Sequence, residues 1–309
     1  MKHIHKQMIT RRRFLTAVTA ATAGAACRPV WSAAAETLAV PSKPVAELFV
    51  VHGKDPAAML QAGIQRMGGW SAFVKAGRTA VVKPNAAWAS LPEQGGNTDP
   101  FLVEHCVRAC LAAGASDVIV PEKPCSPAKD SFSMSGIEEA VKRAGGRMYT
   151  PQAKHFQTVE LPRAVNLKQA DVIKDVLEAG CLINMPVAKT HGGAGLTLSM
   201  KNWMGVVEDR GFWHRNQLHQ CIADFSTRIC PNLIIIDATR IMLTGGPRGP
   251  GKLAYPNQVI FGTDPVAADA YAATLFDKQP FDIQHIRLAH EMGVGCGDLA
   301  LIKVEHINL

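Results

Sequence analysis

Lys189 and His191 stand two residues apart in the run Asn184-Met185-Pro186-Val187-Ala188-Lys189-Thr190-His191, and glycines follow at 192, 193 and 195. An amine, an imidazole and a pliable backbone in so short a span suit anion capture and proton movement. Lysine is a compact charge whose pKa falls readily on burial, and histidine titrates near neutrality. Lys201, in Met200-Lys201-Asn202, and Lys83, in Val82-Lys83-Pro84-Asn85, supply two further amines. Asn85 and Asn202 carry amides that orient a ligand through paired donors and acceptors. The expectation is a pocket for a carboxylate or phosphate, with Lys189, His191 and Lys201 catalytic and Lys83, Asn85 and Asn202 binding. The plainer alternative is a polar connecting loop whose lysines are exposed or ion-paired.

Asp237 and Asp264 join the expected ligand-binding set. Asp237 ends an apolar run, where a lone carboxylate is costly and needs a cation, a metal or an N–H partner. Asp264 and Asp99 each precede a proline and serve equally well as helix caps. Cys125 and His219 are the candidate metal ligands, with Cys221 and His214 within tertiary reach; surface or capping histidines are the alternative. Cys106 and Cys110 share a helix face, as two small core residues or two ligands. No Walker loop, G-x-G-x-x-G, G-x-S-x-G, H-E-x-x-H or C-x-x-C occurs, which argues against nucleotide-loop, serine hydrolase, zincin and ferredoxin chemistry.

The elements that must position these residues alternate along the chain. Strands are expected at 47–52, 79–83, 117–120, 147–150, 156–161, 181–184, 232–237, 258–262 and 301–305. Helices are expected at 57–67, 100–113, 136–144, 171–179, 196–204, 214–229, 265–276 and 283–291. Pro186 bars an immediate helix, so Lys189 and His191 fall in a turn, and the free N–H groups of the 196–204 helix face them. This order predicts an α/β fold with a mainly parallel sheet and helices on both faces. In such sheets ligands gather beyond the carboxyl ends of the strands, where Lys83–Asn85, Glu122–Cys125, Asn184–His191, Asp237–Arg240 and Gly262–Pro265 all fall.

Residues 1–35 read as a leader. Arg11-Arg12-Arg13-Phe14-Leu15, a weakly apolar Ala/Thr/Val run and Ala33-Ala34-Ala35 resemble a twin-arginine export signal, which implies a periplasmic protein. An arginine-rich transit peptide is the competing reading. Residues 36–309 then form one α/β domain or two closely joined lobes. Six of the 33 Lys and Arg lie in the leader, which leaves 27 against 26 acids, a net +1. So balanced a charge gives no case for nucleic-acid binding. No later apolar run is long enough to span a membrane. The seven cysteines after Cys27 are an odd number, so an oxidising compartment leaves at least one unpaired.

Several motifs recur in a familiar order. They are Val82-Lys83-Pro84-Asn85, Thr98-Asp99-Pro100, Ser135-Gly136-Ile137, Ile183-Asn184 through His191, Met200-Lys201-Asn202, Leu218-His219, Asp237-Ala238 and Gly262 through Ala270. The series resembles the family catalogued as domain of unknown function 362, in its exported twin-arginine branch. Members often accompany ferredoxin-type iron–sulfur modules, so the resemblance implies redox work with an iron–sulfur cluster or metal ion. This chain departs from that habit. A cluster here needs dispersed cysteines such as Cys125, or a redox partner protein. Three readings therefore stand: a redox protein with a bound or borrowed metal centre, a metal-independent enzyme or binder of a small anionic metabolite, and a non-catalytic cofactor assembly factor.

Overall fold

A computed structural model describes residues 46–309; the leader motif lies outside them. Short runs of Val, Ile, Leu and Ala, closed off by Gly, Pro and Asp, become strands buried on both faces. In chain order the elements begin with β1 (Ala46–His52), α1 (Pro56–Arg66), β2 (Thr79–Pro84), α2 (Pro100–Ala112), β3 (Asp117–Pro121) and α3 (Ala128–Met134). Next come α4 (Ile137–Ala144), β4 (Arg147–Tyr149), β5 (Phe156–Glu160), β6 (Gln169–Ile173), α5 (Lys174–Glu178) and β7 (Cys181–Met185). They continue with β8 (Val187–His191), β9 (Gly195–Thr197), α6 (Ser199–Asn202), α7 (Arg210–Arg215), α8 (Leu218–Ser226) and β10 (Leu233–Met242). The last are β11 (Leu253–Ala254), β12 (Gln258–Gly262), α9 (Pro265–Thr274), α10 (Gln284–Glu291) and β13 (Ile302–Asn308).

The central sheet runs β13-β1-β12-β10-β7-β2-β3-β4. From β10 to β4 every pairing is parallel, as is β13 with β1. Only β12 on that path opposes both neighbours. Alternate strand residues point to opposite faces and so build two cores. Val51, Val82, Ile183, Ile235 and Phe261 pack with Ile64, Leu102 and Val141 of α1, α2 and α4. Val50, Val81, Leu182, Ile236 and Ile260 pack with Ile222, Ala268 and Ile286 of α8, α9 and α10. The fold is thus the expected α/β arrangement, a mostly parallel sheet clothed by helices on both faces.

Three local expectations are corrected. The segment after Pro186 is strand β8, which pairs with β10 and, through a tight turn, antiparallel with β9. Pro186 ends the pairing of β7, and the β-branched residues Val187, Thr190 and Thr197 favour a pleated hairpin over a loop. The helix expected at 196–204 is accordingly cut to α6. The helix expected at 171–179 opens as strand β6, paired with β5. The one expected at 214–229 is divided between α7 and α8 at Gln217, whose φ is 55°.

Candidate functional site

Strand β8 places Lys189 and His191 on one face of the sheet, because residues two apart along a strand point the same way. Gly195, at φ 72°, closes the turn that pairs His191 with it. Asn85 and Glu122 lie just past the carboxyl ends of β2 and β3, and Lys201 and Asn202 lie on α6. These residues converge on a half-open cavity of about 510 Å³. Its wall includes Asn85, Trp88, Glu122, Cys125, Lys189, His191, Thr197, Lys201, Asn202, Arg210 and His214, with Pro247 at its edge. A second cavity, of about 410 Å³, is lined by Thr158, Lys168, Asp171 and Phe212. There Thr158 bonds Asp171 and Lys168 bonds the Ala164 carbonyl, so its polar groups serve the local fold.

The three amines of the site have different occupations. Lys83 is fully buried and bonds the Glu122 carboxylate at 2.8 Å and the Pro84 carbonyl. It is a counter-ion behind the cavity wall rather than the ligand-binding cation expected. Lys189, also fully buried, donates to Asn85 Oδ1 at 3.0 Å and to the Gly96 carbonyl. Lys201 is buried too, and its ammonium has no hydrogen-bond partner among the described residues. Burial first, and then the charge of Lys201, pulls the Lys189 pKa down to about 7. Burial likewise brings Lys201 down to about 8, with Arg210 acting in the same sense and Cys125 opposing.

His191 Nδ1 accepts the Gly193 and Ala194 N–H groups at 3.0 and 3.1 Å. A ring nitrogen held as acceptor fixes the neutral tautomer, with the proton on Nε2. Burial, Lys201 and the neighbouring His214 then hold the pKa at about 3. His214 stacks on His191 with centroids 5.9 Å apart. Arg210 gives N–H groups to the Lys123 and Pro124 carbonyls, which fixes the guanidinium at the cavity wall.

An amide chain holds the floor. Asn202 donates to the Lys83 carbonyl at 2.9 Å and to Asn184 Oδ1 at 2.8 Å, and its own Oδ1 accepts from Asn85 at 3.2 Å. Asn184 donates to the Ser199 carbonyl and hydroxyl. Buried polar groups so fully paired fix a single arrangement. The N-terminus of α6 does not face the cavity as a free anion site. The Asp269 carboxylate takes the Ser199 and Met200 N–H groups at 2.7 and 3.0 Å.

Of the expected residues, Asn85, Cys125, Lys189, His191, Lys201 and Asn202 meet at the cavity. Asp237, Asp264 and His219 do not. Asp237 accepts the Asp99 N–H at 2.8 Å and the Thr239 N–H and hydroxyl at 3.0 and 2.7 Å. Burial raises its pKa, and the partner it needed is thus an N–H group. Asp264 caps α9 through the Val266 and Ala267 N–H groups and accepts the Cys296 N–H at 2.8 Å. His219 pairs Nδ1 to Nδ1 with buried His285 at 3.2 Å. Cys125 and His219 therefore do not share a metal site. Among the described residues no three His, Cys, Asp or Glu side chains stand together in a metal-holding group. The described residues therefore bring together no donor set of the kind an iron–sulfur cluster or metal ion needs. Cys106, Cys110 and Cys181 pack with the buried apolar side chains of the α1–α2–α4 face instead. Arg210, Glu122 and His214 are charged or titratable wall residues that the sequence alone does not assign to the anion pocket. Arg210, two residues beyond Glu208 and next to Asp209, reads in sequence as part of a surface charge cluster.

A family described as domain of unknown function (DUF362) matches residues 80–274. The chain belongs to this family. The match takes in every residue of the cavity wall named above, so the site is part of the DUF362 domain itself. A thylakoid-associated protein of Synechocystis sp. is 26% identical over 231 residues, which cover 69% of this chain and 68% of that relative. Among solved structures, the lactate racemase apoprotein from Thermoanaerobacterium thermosaccharolyticum superposes with a TM-score of 0.44 at 10% identity, over 74% of this chain. The chain spans 56% of the length of that protein. No helix among the described residues is long and apolar enough to cross a membrane.

Proposed function

We propose that the cavity binds a small anionic metabolite, that Lys201 and Lys189 carry out proton transfer on it, and that His191 offers it the Nε2–H as a hydrogen-bond donor. One observation carries this reading. Lys189, Lys201 and Arg210 line a single half-open cavity whose one wall carboxylate, Glu122, is already engaged by Lys83. The cavity therefore presents uncompensated positive charge to whatever enters. A volume of about 510 Å³ suits a small metabolite. Amines drawn towards neutrality are matched to acid–base work near physiological pH. Asn85, itself held by Asn202, fixes the Lys189 amine in place, and Trp88 and Met204 supply apolar wall.

Thermal shift and calorimetric titration with pyruvate, malonate, citrate and inorganic phosphate test the reading. At least one of these anions is expected to stabilise the protein, and Lys189→Met and Lys201→Met to abolish or sharply weaken the effect. No stabilisation by any of the four, or binding untouched in both variants, overturns it. The leader motif supports export by the twin-arginine route, and fractionation of cells producing the full chain tests that separately.

A further inference from the structure

We propose that Lys201 is a nucleophilic amine and that the metabolite it takes is a 2-oxo acid, bound as an imine. This deepens the anion-pocket reading and rests on it. The three amines are differently occupied. Lys83 is locked to Glu122, and Lys189 spends two of its three N–H donors on Asn85 and Gly96. Lys201 lines the cavity, is over nine-tenths buried, and bonds to nothing among the described residues. A buried amine without an acceptor has little to hold its proton. Burial favours its neutral form, which has the lone pair needed for attack, with Cys125 opposing and Arg210 acting in the same sense.

The remaining wall groups indicate what is attacked. Lys189 keeps one free donor, and Arg210 stands on the same cavity. Together they hold a carboxylate while Lys201 meets an adjacent electrophilic carbon. A carboxylate next to a carbonyl is the smallest ligand that satisfies both demands. In the step, the Nζ lone pair adds to the carbonyl carbon, and the carbonyl oxygen takes up a proton that the nitrogen gives up, which leaves a neutral carbinolamine. That oxygen then leaves as water with a second proton, which comes from the nitrogen, and a C=N bond remains. One water is released and no oxidant or reductant is consumed. His191, whose ring proton sits on Nε2 and whose Nδ1 is taken by two backbone N–H groups, is placed on the cavity wall to donate a hydrogen bond to the departing oxygen.

The experiment is reductive trapping of the full protein with borohydride in the presence of glyoxylate, pyruvate or 2-oxoglutarate. The mass of the intact chain is read first, and the modified lysine is then located by peptide mapping. One reduced adduct per chain, on Lys201, with at least one of the three acids is the expected result. Lys201→Arg is expected to lose it. Mapping on the unsubstituted protein gives the answer even if that variant fails to fold. No adduct with any of the three acids overturns the proposal, as does label spread over exposed lysines and unchanged in the variant. If carboxylates still stabilise the protein while no adduct forms, Lys201 is a charge for anion binding only, and the pocket reading survives. If no anion binds at all, both fall together.

Discussion

Lys83 Nζ lies 2.8 Å from Glu122 Oε2 with both side chains out of solvent, and the pair forms the back of the cavity. Glu122 also accepts the Ala86 N–H at 3.0 Å, which ties the end of β2 to the end of β3. Removing one partner of a buried ion pair leaves an uncompensated charge, which typically costs about 3–5 kcal/mol. Lys83→Met is therefore expected to lower stability by that amount in urea unfolding. Lys83→Met combined with Glu122→Gln removes both charges and keeps an acceptor for Ala86, so it should recover most of the loss. A single variant as stable as the parent would show that the pair contributes nothing.

Gly205 is dictated by the same pair. A Cβ there would lie 2.0 Å from Glu122 Oε1 and 2.9 Å from Lys83 Nζ. Lys83 is fully buried, and Glu122 is held by Lys83 and the Ala86 N–H, so displacing either breaks a hydrogen bond. Gly205→Ala is expected to cost about 1–3 kcal/mol, as overpacking does, and to disturb anion binding through the displaced Glu122. Unfolding midpoints and a thermal shift with the best anion measure the two effects. Full stability in Gly205→Ala would mean that the carboxylate moves freely.

The architecture was legible because the apolar runs are short, bounded and regularly spaced, and the Asp-Pro starts at Asp99 and Asp264 are used as caps. The convergence of Asn85, Lys189 and His191 followed from their places at or beyond the carboxyl ends of neighbouring strands, and Lys201 and Asn202 arrive on α6, which follows directly on the β8–β9 hairpin. What sequence could not supply was the occupation of each charge. Lys83 and Lys189 look alike in the chain, yet Glu122, 39 residues from Lys83, claims one and leaves the other to the cavity. Asp237 looked like a site residue because no local partner was visible; its partners include the Asp99 N–H, 138 residues away. The β8–β9 hairpin was masked by glycines and a proline that suggest loop, although its pairing depends on β10, more than forty residues further along.

Lys201 gives a stability test with a defined sign. Its pKa is about 8 in the folded protein against an ordinary 10.5, so between those values the unfolded chain binds more protons. The contribution of this group to stability therefore rises with pH across that window. Below it, the folded protein bears the full penalty of a buried ammonium. Lys201→Met removes the penalty and keeps the apolar stem, so the variant should be more stable than its parent at pH 7, with the gap narrowing towards pH 10. The difference between the two proteins is the quantity to follow, since other groups titrate equally in both. A gap that widens with pH would mean that the amine is held as an ammonium.

Asn202 is the joint of the amide chain, and its replacement separates positioning from charge. Asn202→Ala leaves the Lys83 carbonyl and Asn184 Oδ1 without a donor and frees Asn85 from its cross-link. Each buried acceptor left unpaired costs about 1–3 kcal/mol. Asn85 then holds Lys189 less firmly, so anion affinity is expected to drop even though no charge has been removed. Calorimetric titration shows the drop, and chemical unfolding shows the stability loss. Equal anion affinity in Asn202→Ala and the parent would mean that Lys189 is positioned by the Gly96 carbonyl alone.

Anion affinity itself should depend on pH in one direction. Lys189 and Lys201, at about 7 and about 8 in the empty site, attract an anion only as ammonium ions. A bound carboxylate favours the charged form and raises both pKa values, so binding draws protons from solution near neutral pH. Affinity for malonate, which has no carbonyl for an amine to attack, is therefore expected to fall steadily from pH 6.5 to pH 9. Proton uptake should appear as a dependence of the binding heat on the ionisation enthalpy of the buffer. In Lys201→Met the remaining slope belongs to Lys189 alone, whose pKa rises once the Lys201 charge is gone, so the slope should be shallower than in the parent. A flat profile in the parent would place both amines outside the contact with the anion, whatever the cavity holds.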